Sequence, residues 1–300
     1  MSCKVSILVL ASNFLTISSA RSMIEYKYKK IEGCERSSSK RTRLPFKGSS
    51  LLTTGQCDSV EGNDVYSPLH CITSCKGFKL ACINVNSICK HIDEIRYILI
   101  NSPSEVLAIN ESKLDDTISD TEVYIPGYVI IRKDRSRSGG GVALYIRENL
   151  SYTNKIDLKL VPDTLERICV EINLPHSSSF LVSPWYRPPS AEMQFFDECE
   201  KFVQSCDIEH KQLILMGDIN SDYAKTPLDV HTRTMQFISS VYQLEQLIKE
   251  PIRVTKSSAT TIDLIFNKYG RQYSSLWCYS SRDFRSQSNL CGTKVCCTQN

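Results

Sequence analysis

The sequence predicts an α/β domain, and two features of its 300 residues indicate this class. Short apolar runs have the length and composition of buried strands, near residues 78–84, 106–110, 128–132, 141–147, 167–174, 180–186, 212–217 and 261–266. Segments with apolar residues at helical spacing lie between them, near residues 89–101, 191–206 and 229–247. Mixed strands with interspersed helices are typical of an α/β architecture.

Polar side chains stand at or near the ends of five of these strand-like runs. In chain order they are Asn84 with Asn86, Glu111, Tyr186, Asp218 with Asn220, and Asp263. One such group is usually a helix cap or a turn residue. Five in succession indicate one shared site, because strands of an α/β sheet deliver their ends to a common edge.

The residue types in this set indicate the chemistry of that site. Carboxylate and amide oxygens without Cys or His favour Mg²⁺ or Mn²⁺ over zinc. Mg²⁺ is held by one or two carboxylates and completes its shell with water and phosphate oxygens. Asparagine can donate to a phosphate without repelling it. The sequence therefore predicts metal-assisted hydrolysis of a phosphate ester.

In this order, the residues resemble the endonuclease/exonuclease/phosphatase superfamily, which includes DNase-I-like nucleases and apurinic endonucleases. The segments Ser138–Arg147 (Ser-Gly-Gly-Gly-Val-Ala-Leu-Tyr-Ile-Arg) and Tyr186–Pro189 (Tyr-Arg-Pro-Pro) are similar to the endonuclease domain of non-LTR (LINE or jockey-type) retrotransposons. The resemblance covers about residues 78–267. It implies a four-layer α/β/β/α sandwich of two mixed sheets with outer helices, and a Mg²⁺-dependent DNA-nicking endonuclease.

The resemblance also implies a role for each matching residue. Glu111 is implied as the metal ligand, and Asn84 as the asparagine that positions it and the phosphate. Tyr186 is implied to donate to a phosphate oxygen, and Asp218 to orient or deprotonate the attacking water. Asn220 is implied to stabilise the transition state. The position of Asn86 often carries an aspartate in apurinic endonucleases and an asparagine in retroelement enzymes.

The end of the chain departs from the family pattern. The family normally ends with Ser-Asp-His, and its histidine pairs with the aspartate at the position of Asp263. No histidine follows Asp263 here, and Ser281–Phe284 (Ser-Arg-Asp-Phe) has an aspartate only. Residues 269–300 show no clear strand period, so we expect a divergent tail and leave open whether the last strand is present. Loss of a general acid–base group commonly lowers a rate by about two to four orders of magnitude.

The motifs and the resemblance lead to three hypotheses for the function. The first is an endonuclease of retroelement origin, impaired by the missing motif. The second is a catalytically dead relic that at most binds DNA. The third is a phosphoesterase of the same superfamily that acts on a small or lipid substrate, against which the two retroelement-like segments argue.

The regions outside residues 77–268 are less informative. Residues 1–76 are predicted to be an irregular leader, rich in Ser, Lys and Arg. Residues 1–20 resemble a signal peptide, but the family resemblance favours a nuclear or cytoplasmic monomer that acts on DNA. No run reaches the roughly 18 to 20 apolar residues of a membrane span. The net charge of +3 excludes a strongly basic nucleic-acid binder.

Local motifs complete the prediction. The basic run Arg132–Arg137 precedes the triple glycine Gly139–Gly141, and we expect it to contact a phosphate backbone. The glycine run is not a phosphate-binding P-loop, because it opens a strand and lacks the Gly-Lys-Ser/Thr ending. The fourteen cysteines contain no pair of Cys-x-x-Cys motifs, which argues against zinc. Those in apolar runs are predicted to be ordinary buried thiols, at Cys82, Cys169 and Cys206.

Overall fold

The computed structural model describes residues 5–10, 77–101, 103–155, 165–249, 251, 253–254, 257–268, 273–279 and 294–295. Its helices are α1 (Ile88–Asn101), α2 (Gln194–Ile208) and α3 (Val230–Val241). Its strands are β1 (Val5–Leu10), β2 (Phe78–Asn84), β3 (Val106–Asn110), β4 (Tyr128–Lys133), β5 (Val142–Arg147), β6 (Ser151–Asn154), β7 (Glu166–Arg167), β8 (Val170–Asn173), β9 (Phe180–Tyr186), β10 (Leu213–Asp218), β11 (Leu244–Gln246), β12 (Arg253–Val254), β13 (Ala259–Thr260), β14 (Asp263–Lys268), β15 (Tyr273–Tyr279) and β16 (Lys294–Val295).

Two mixed sheets contain all of these strands except the small β12–β13 pair, which confirms the predicted α/β class. The first sheet has the order β16-β15-β1-β2-β3-β5-β4, with β1, β2, β3 and β15 parallel to one another. The second has the order β11-β14-β10-β9-β8-β6, and β7 pairs with β9. In that sheet β9 and β10 are parallel, while β14 is antiparallel to β10.

The alternation of side chains along the strands produces four layers. In β2, Leu80 and Cys82 pack into a core shared with Ile214 and Met216 of β10, so the two sheets lie face to face. The opposite faces are covered by helices. Residues of β2, β3 and β5 pack against α1, and residues of β9, β10 and β14 pack against α2 and α3. The helices are therefore on the outside of the sandwich, as the resemblance implied.

This packing places the ends of four strands at one end of the sandwich. The parallel strands β2 and β3 end at Asn84 and Asn110, and the parallel strands β9 and β10 end at Tyr186 and Asp218. The Asn110 side-chain amide donates to the carbonyl oxygen of Trp185 at 2.8 Å, which joins the two sheets there. Polar residues after these strands consequently converge on a small region.

Several predicted elements differ from the observed ones. The predicted helix at 229–247 ends at Val241, where Ser239 and Ser240 weaken the helix, and a strand that pairs with β14 follows it. The predicted strand at 167–174 is broken into β7 and β8. The polar strand β6 has no apolar alternation and was not predicted.

The two ends of the chain contain strands that the sequence did not predict. The expected leader contains β1, and the expected tail contains β15 and β16. These strands join the first sheet through backbone pairing, in which β1 lies between β2 and β15. The run Val5–Leu10 is apolar, but it was included in the segment that resembles a signal peptide, and residues 273–279 have no regular alternation of apolar and polar residues. The question that the sequence left open, whether a strand follows residue 268, is answered by β15 and β16.

Two other expectations concern cysteines and membranes. Cys82, Cys169 and Cys206 are buried free thiols, as predicted. Among the described helices, none has both the length and the apolar character needed to cross a bilayer.

Candidate active site

The centre of the site is a side-chain amide that joins two carboxylates. Asn84 Nδ2 donates to Glu111 Oε1 at 2.9 Å and to Asp218 Oδ2 at 3.0 Å. Asn84 Oδ1 accepts the backbone N–H of Asn86 at 3.2 Å, which fixes the orientation of the amide. Both hydrogens of Asn84 Nδ2 are therefore engaged, and a residue of β2 holds the acids that follow β3 and end β10.

Asp218 is held by a tight turn that follows β10. Its Oδ1 accepts the backbone N–H of Asn220 at 3.0 Å, in an Asx turn, and its Oδ2 lies 3.7 Å from Arg253 Nη2. The Asn220 side chain donates to the carbonyl oxygen of Arg187 at 2.7 Å. The Gly-Asp-Ile-Asn turn and the Tyr-Arg-Pro-Pro segment thereby support each other.

Asp263 lies directly beside Asp218. The two residues are partners in the antiparallel register of β10 and β14, and both are almost completely buried. Asp263 Oδ2 has no hydrogen-bond partner among the described residues. Burial raises the pKa of Asp263, and the neighbouring carboxylate of Asp218 raises it further. Burial also raises the pKa of Asp218, but Arg253 and two N–H donors favour its ionised form. Of the pair, Asp263 holds a proton more readily.

Tyr186 ends β9 next to Asp218 in the parallel register. Burial raises the pKa of its hydroxyl to about 12, with further contributions from the charges of Glu111 and Asp218. The hydroxyl is therefore a proton donor at neutral pH. The guanidinium of Arg135 lies over the tyrosine ring, 5.7 Å from its centre.

Glu111 occupies a strained and partly exposed position. Its φ of 51° lies in the left-handed region, which costs a residue with a side chain about 1 kcal/mol or more. Asn86 (φ 52°) and Asn220 (φ 49°) share this conformation. Lys113 Nζ lies 3.5 Å from Glu111 Oε2 and donates to Asn86 Oδ1. Strain of this kind is retained at functional sites when surrounding contacts over-determine the backbone.

The donor set fits a divalent cation of the magnesium type. Glu111 supplies a carboxylate that is 22% exposed, and amide oxygens lie beside it. Within the described part of the chain, no three His, Cys, Asp or Glu side chains form a metal-binding group. A cation here would therefore be held by Glu111, near Asn84, with water and substrate oxygens completing its shell. Lys113 would have to move away from Glu111 Oε2 before that oxygen could bind the cation.

The structure thus brings together every predicted site residue, namely Asn84, Glu111, Tyr186, Asp218, Asn220 and Asp263. The segment Ser281–Phe284 lies outside the described residues. In the basic run, Arg132 Nε is 3.1 Å from Asp120 Oδ1 and 3.5 Å from Asp134 Oδ2, so this arginine is used within the protein. Lys113, Glu166 and Arg253 were missed, because a lone charge in a loop gives no sequence signal of a distant partner.

The buried pair Asp218–Asp263 leads to a test of stability. Asp263→Asn is expected to stabilise the fold relative to wild type as pH rises, because asparagine keeps the shape without ionising. A raised folded-state pKa means that wild type loses stability as pH rises above the unfolded value, near about 4, towards the folded one. The loss is at most about 1.4 kcal/mol per pH unit for one proton.

Urea unfolding in EDTA at about pH 5 and about pH 8 would measure this difference. Asp197→Asn, on the exposed side of α2, is the control for loss of a carboxylate. If Asp263→Asn shows the same change in unfolding free energy as wild type between the two pH values, Asp263 is already ionised in the fold.

Comparisons with known proteins give one matching family and several similar solved structures. Residues 81–284 match the endonuclease/exonuclease/phosphatase family. An AP endonuclease from Archaeoglobus fulgidus is 16% identical with a TM-score of 0.46, over 63% of this chain and 86% of that one. A 3′ phosphatase from Neisseria, solved with a product DNA hairpin, is 15% identical with a TM-score of 0.47, over 63% and 86%. The Xenopus laevis APE2 catalytic domain is 13% identical with a TM-score of 0.48, over 63% and 82%. No curated protein matches the chain.

Proposed function

Because this chain belongs to the endonuclease/exonuclease/phosphatase family, we propose that it is a metal-dependent nuclease that nicks DNA. The family as a whole supports metal-dependent hydrolysis of phosphoesters. DNA as the substrate, Mg²⁺ or Mn²⁺ as the cation, and action as a monomer in the nucleus or cytoplasm are parts of the proposal. A retroelement origin is proposed from the segments Ser138–Arg147 and Tyr186–Pro189.

The observation that carries the proposal is the bridge from Asn84 to two carboxylates. One amide holds Glu111 and Asp218 at distances of 2.9 and 3.0 Å, at the end of the sandwich where Tyr186 also lies. The proposed metal ligand, general base and tyrosine donor would thereby lie within reach of one phosphate. Such preorganisation is the main way in which a protein accelerates phosphoryl chemistry.

In this proposal Asp218 activates the attacking water. Its carboxylate is oriented by Asn84 and by the backbone N–H of Asn220, which leaves lone pairs for a water hydrogen. As the water oxygen attacks phosphorus, its proton passes to Asp218, and the leaving sugar oxygen takes a proton from solvent water as its bond to phosphorus breaks. A carboxylate with a raised pKa is a better base than an unperturbed one.

Neutral donors would stabilise the charge that develops on the phosphate. One N–H of Asn220 Nδ2 is used on the carbonyl of Arg187, and the second remains for a phosphate oxygen. The hydroxyl of Tyr186, which remains protonated, would be a second neutral donor. A cation at Glu111 would supply positive charge to a phosphate oxygen.

A second candidate function, DNA binding with little turnover, is favoured by Asp263. Its buried Oδ2 has no partner among the described residues, at the place where the family aspartate pairs with a histidine. No histidine follows it in the sequence. Protonation of the leaving oxygen by water in place of a histidine lowers the rate by about two to four orders of magnitude, which favours binding over turnover.

Nicking of supercoiled plasmid by the full chain tests the proposal. We expect nicking with Mg²⁺ that disappears with EDTA and falls at least about 100-fold in Glu111→Gln, since a metal ligand matters at least as much as its supports. The matched control is Glu209→Gln. That glutamate is exposed between α2 and β10, and β10 separates it from Asp218.

The outcomes separate the two candidates. Nicking that survives EDTA or Glu111→Gln would show that the chemistry lies elsewhere. Folded protein that binds duplex DNA without nicking it would support the second candidate. Folded protein that neither binds nor nicks DNA would overturn both.

A further inference from the structure

We propose that Arg135 binds a phosphate of the DNA backbone beside the scissile one, and that Glu166 holds it in place against the triple-glycine loop. The inference rests on the proposed function, because it names a further substrate contact of the same site. It assigns a role to two residues that lie outside the catalytic constellation and to the loop between β4 and β5.

Glu166 contacts both the side chain of Arg135 and the backbone of Gly141. Arg135 Nη1 donates to Glu166 Oε1 at 2.7 Å, and Glu166 Oε2 accepts the backbone N–H of Gly141. Glu166 is 7% exposed and belongs to β7, whereas Arg135 and Gly141 belong to the loop that follows β4. The carboxylate therefore fastens a loop of the first sheet to the second sheet, at the end that carries the site.

The triple-glycine loop is also hydrogen-bonded to the backbone that follows Glu111. The backbone N–H groups of Ser112 and Lys113 donate to the carbonyl oxygens of Gly141 and Gly140, at 3.1 and 2.9 Å. The same loop thus contacts the backbone just after the proposed metal ligand. Arg135 is held at a fixed position relative to Glu111 by a short chain of backbone contacts.

The glycines are needed because the ion pair packs directly against them. A Cβ at Gly140 would overlap both the Arg135 guanidinium and the Glu166 carboxylate, and a Cβ at Gly141 would overlap the hydroxyl of Ser112. Both residues have positive φ, of 72° and 82°, which side chains disfavour. This explains the triple glycine without any phosphate-binding loop.

One edge of the Arg135 guanidinium is available to bind an anion. Its Nε donates to the carbonyl oxygen of Gly139 at 2.9 Å, and Nη1 is used on Glu166. Nη2 has no hydrogen-bond partner among the described residues, and the side chain is 39% exposed. A guanidinium presents five N–H groups in a rigid fork, so one edge can be fastened while the other meets an oxyanion.

The position of the Arg135 guanidinium beside the candidate active site indicates that this oxyanion is a phosphate of the bound DNA. The guanidinium lies over the ring of Tyr186, which ends β9 beside Asp218. A duplex that places its scissile phosphate near Tyr186 and Asp218 brings neighbouring phosphates of the same strand close to Arg135. Carboxylates dominate the described side chains around Asp218, so a fixed cation at the rim would offset their repulsion of DNA.

DNA binding without cleavage tests the inference. The affinity of the full chain for a short duplex is measured in EDTA over a range of salt concentrations. Arg135→Gln is expected to weaken binding about tenfold and to reduce the slope of log affinity against log salt by about 0.9, the value for one phosphate contact. Arg135→Lys is expected to keep the slope and to weaken binding less. The control is Arg233→Gln, an exposed arginine of α3.

Glu166→Gln tests the positioning role. Removal of a negative charge near DNA should by itself strengthen binding, whereas release of Arg135 should weaken it. We expect weaker binding, and no further loss when Glu166→Gln is combined with Arg135→Gln. Tighter binding of Glu166→Gln, or additive losses in the double variant, would overturn the positioning role.

The remaining outcomes are also decisive. Wild type that binds DNA with the same slope and affinity as Arg135→Gln would overturn the inference and leave the proposed function standing. Wild type that is folded and does not bind DNA would overturn the proposed function, and the inference with it.

Discussion

Gly217→Ala is expected to lower the free energy of unfolding by about 3 kcal/mol or more and the melting temperature by roughly 10 °C. A Cβ at this position would overlap the carbonyl oxygen of Trp185 and would lie 3.0 Å from Asn110 Nδ2. Both neighbours belong to the hydrogen bond that joins the two sheets, and backbone cannot move aside as a flexible side chain can. The φ of 141° adds a conformational cost for any residue except glycine.

Gly127→Ala separates the two causes. Gly127 has a φ of 81°, but nothing lies within 4 Å of the Cβ that a substitution would add. Its alanine variant should therefore lose only the conformational term, about 1 kcal/mol. Thermal and urea unfolding, followed by circular dichroism, would measure both variants. Equal losses at the two glycines would show that β9 and β10 can separate to accept the methyl group at no extra cost.

Asp218→Asn is expected to reduce DNA nicking by about two to four orders of magnitude and to leave DNA binding within a few-fold of wild type. An amide cannot take a proton from water. In addition, the amide keeps only one acceptor oxygen, so one of the two donors that the carboxylate now satisfies, Asn84 Nδ2 or the Asn220 N–H, faces an NH₂ group that cannot accept it. Single-turnover plasmid nicking measures the chemistry apart from product release.

A matched control and a folding check accompany this variant. Asp93→Asn removes a carboxylate that is 88% exposed on α1, and it should nick at the wild-type rate. Circular dichroism should show that Asp218→Asn remains folded, because relief of the repulsion between the buried carboxyl groups of Asp218 and Asp263 offsets the lost hydrogen bond. A folded Asp218→Asn variant that nicks at the wild-type rate would remove Asp218 from the mechanism.

Much of the sandwich and its site could be predicted from the sequence because buried strands are short apolar runs. β2, β3, β9, β10 and β14 each bury both faces, so a polar residue at such a strand end is conspicuous. The strand ends therefore indicated the six site residues before any fold was known. The resemblance to a known family implied their roles, of which the nicking experiments test those of Glu111 and Asp218.

Helix ends and edge strands could not be predicted in the same way. The run from Val230 to Gln246 keeps helical spacing, yet the structure ends α3 at Val241 and forms β11 from the next residues. That outcome depends on β14, which offers a free edge to β11. The apolar run Val5–Leu10 is suited to a strand, but its position between β2 and β15 depends on the rest of the sheet.

By itself, the sequence determined the fold class and indicated the strand ends that carry the candidate site, because burial imposes a recognisable pattern on each strand. Only the tertiary structure decided which groups touch. It placed Asn84 between Glu111 and Asp218, set Asp263 beside Asp218, and fastened Arg135 to Glu166. Such contacts join residues that are far apart in the chain. Their geometry depends on sheet register and packing, about which local sequence patterns carry no information.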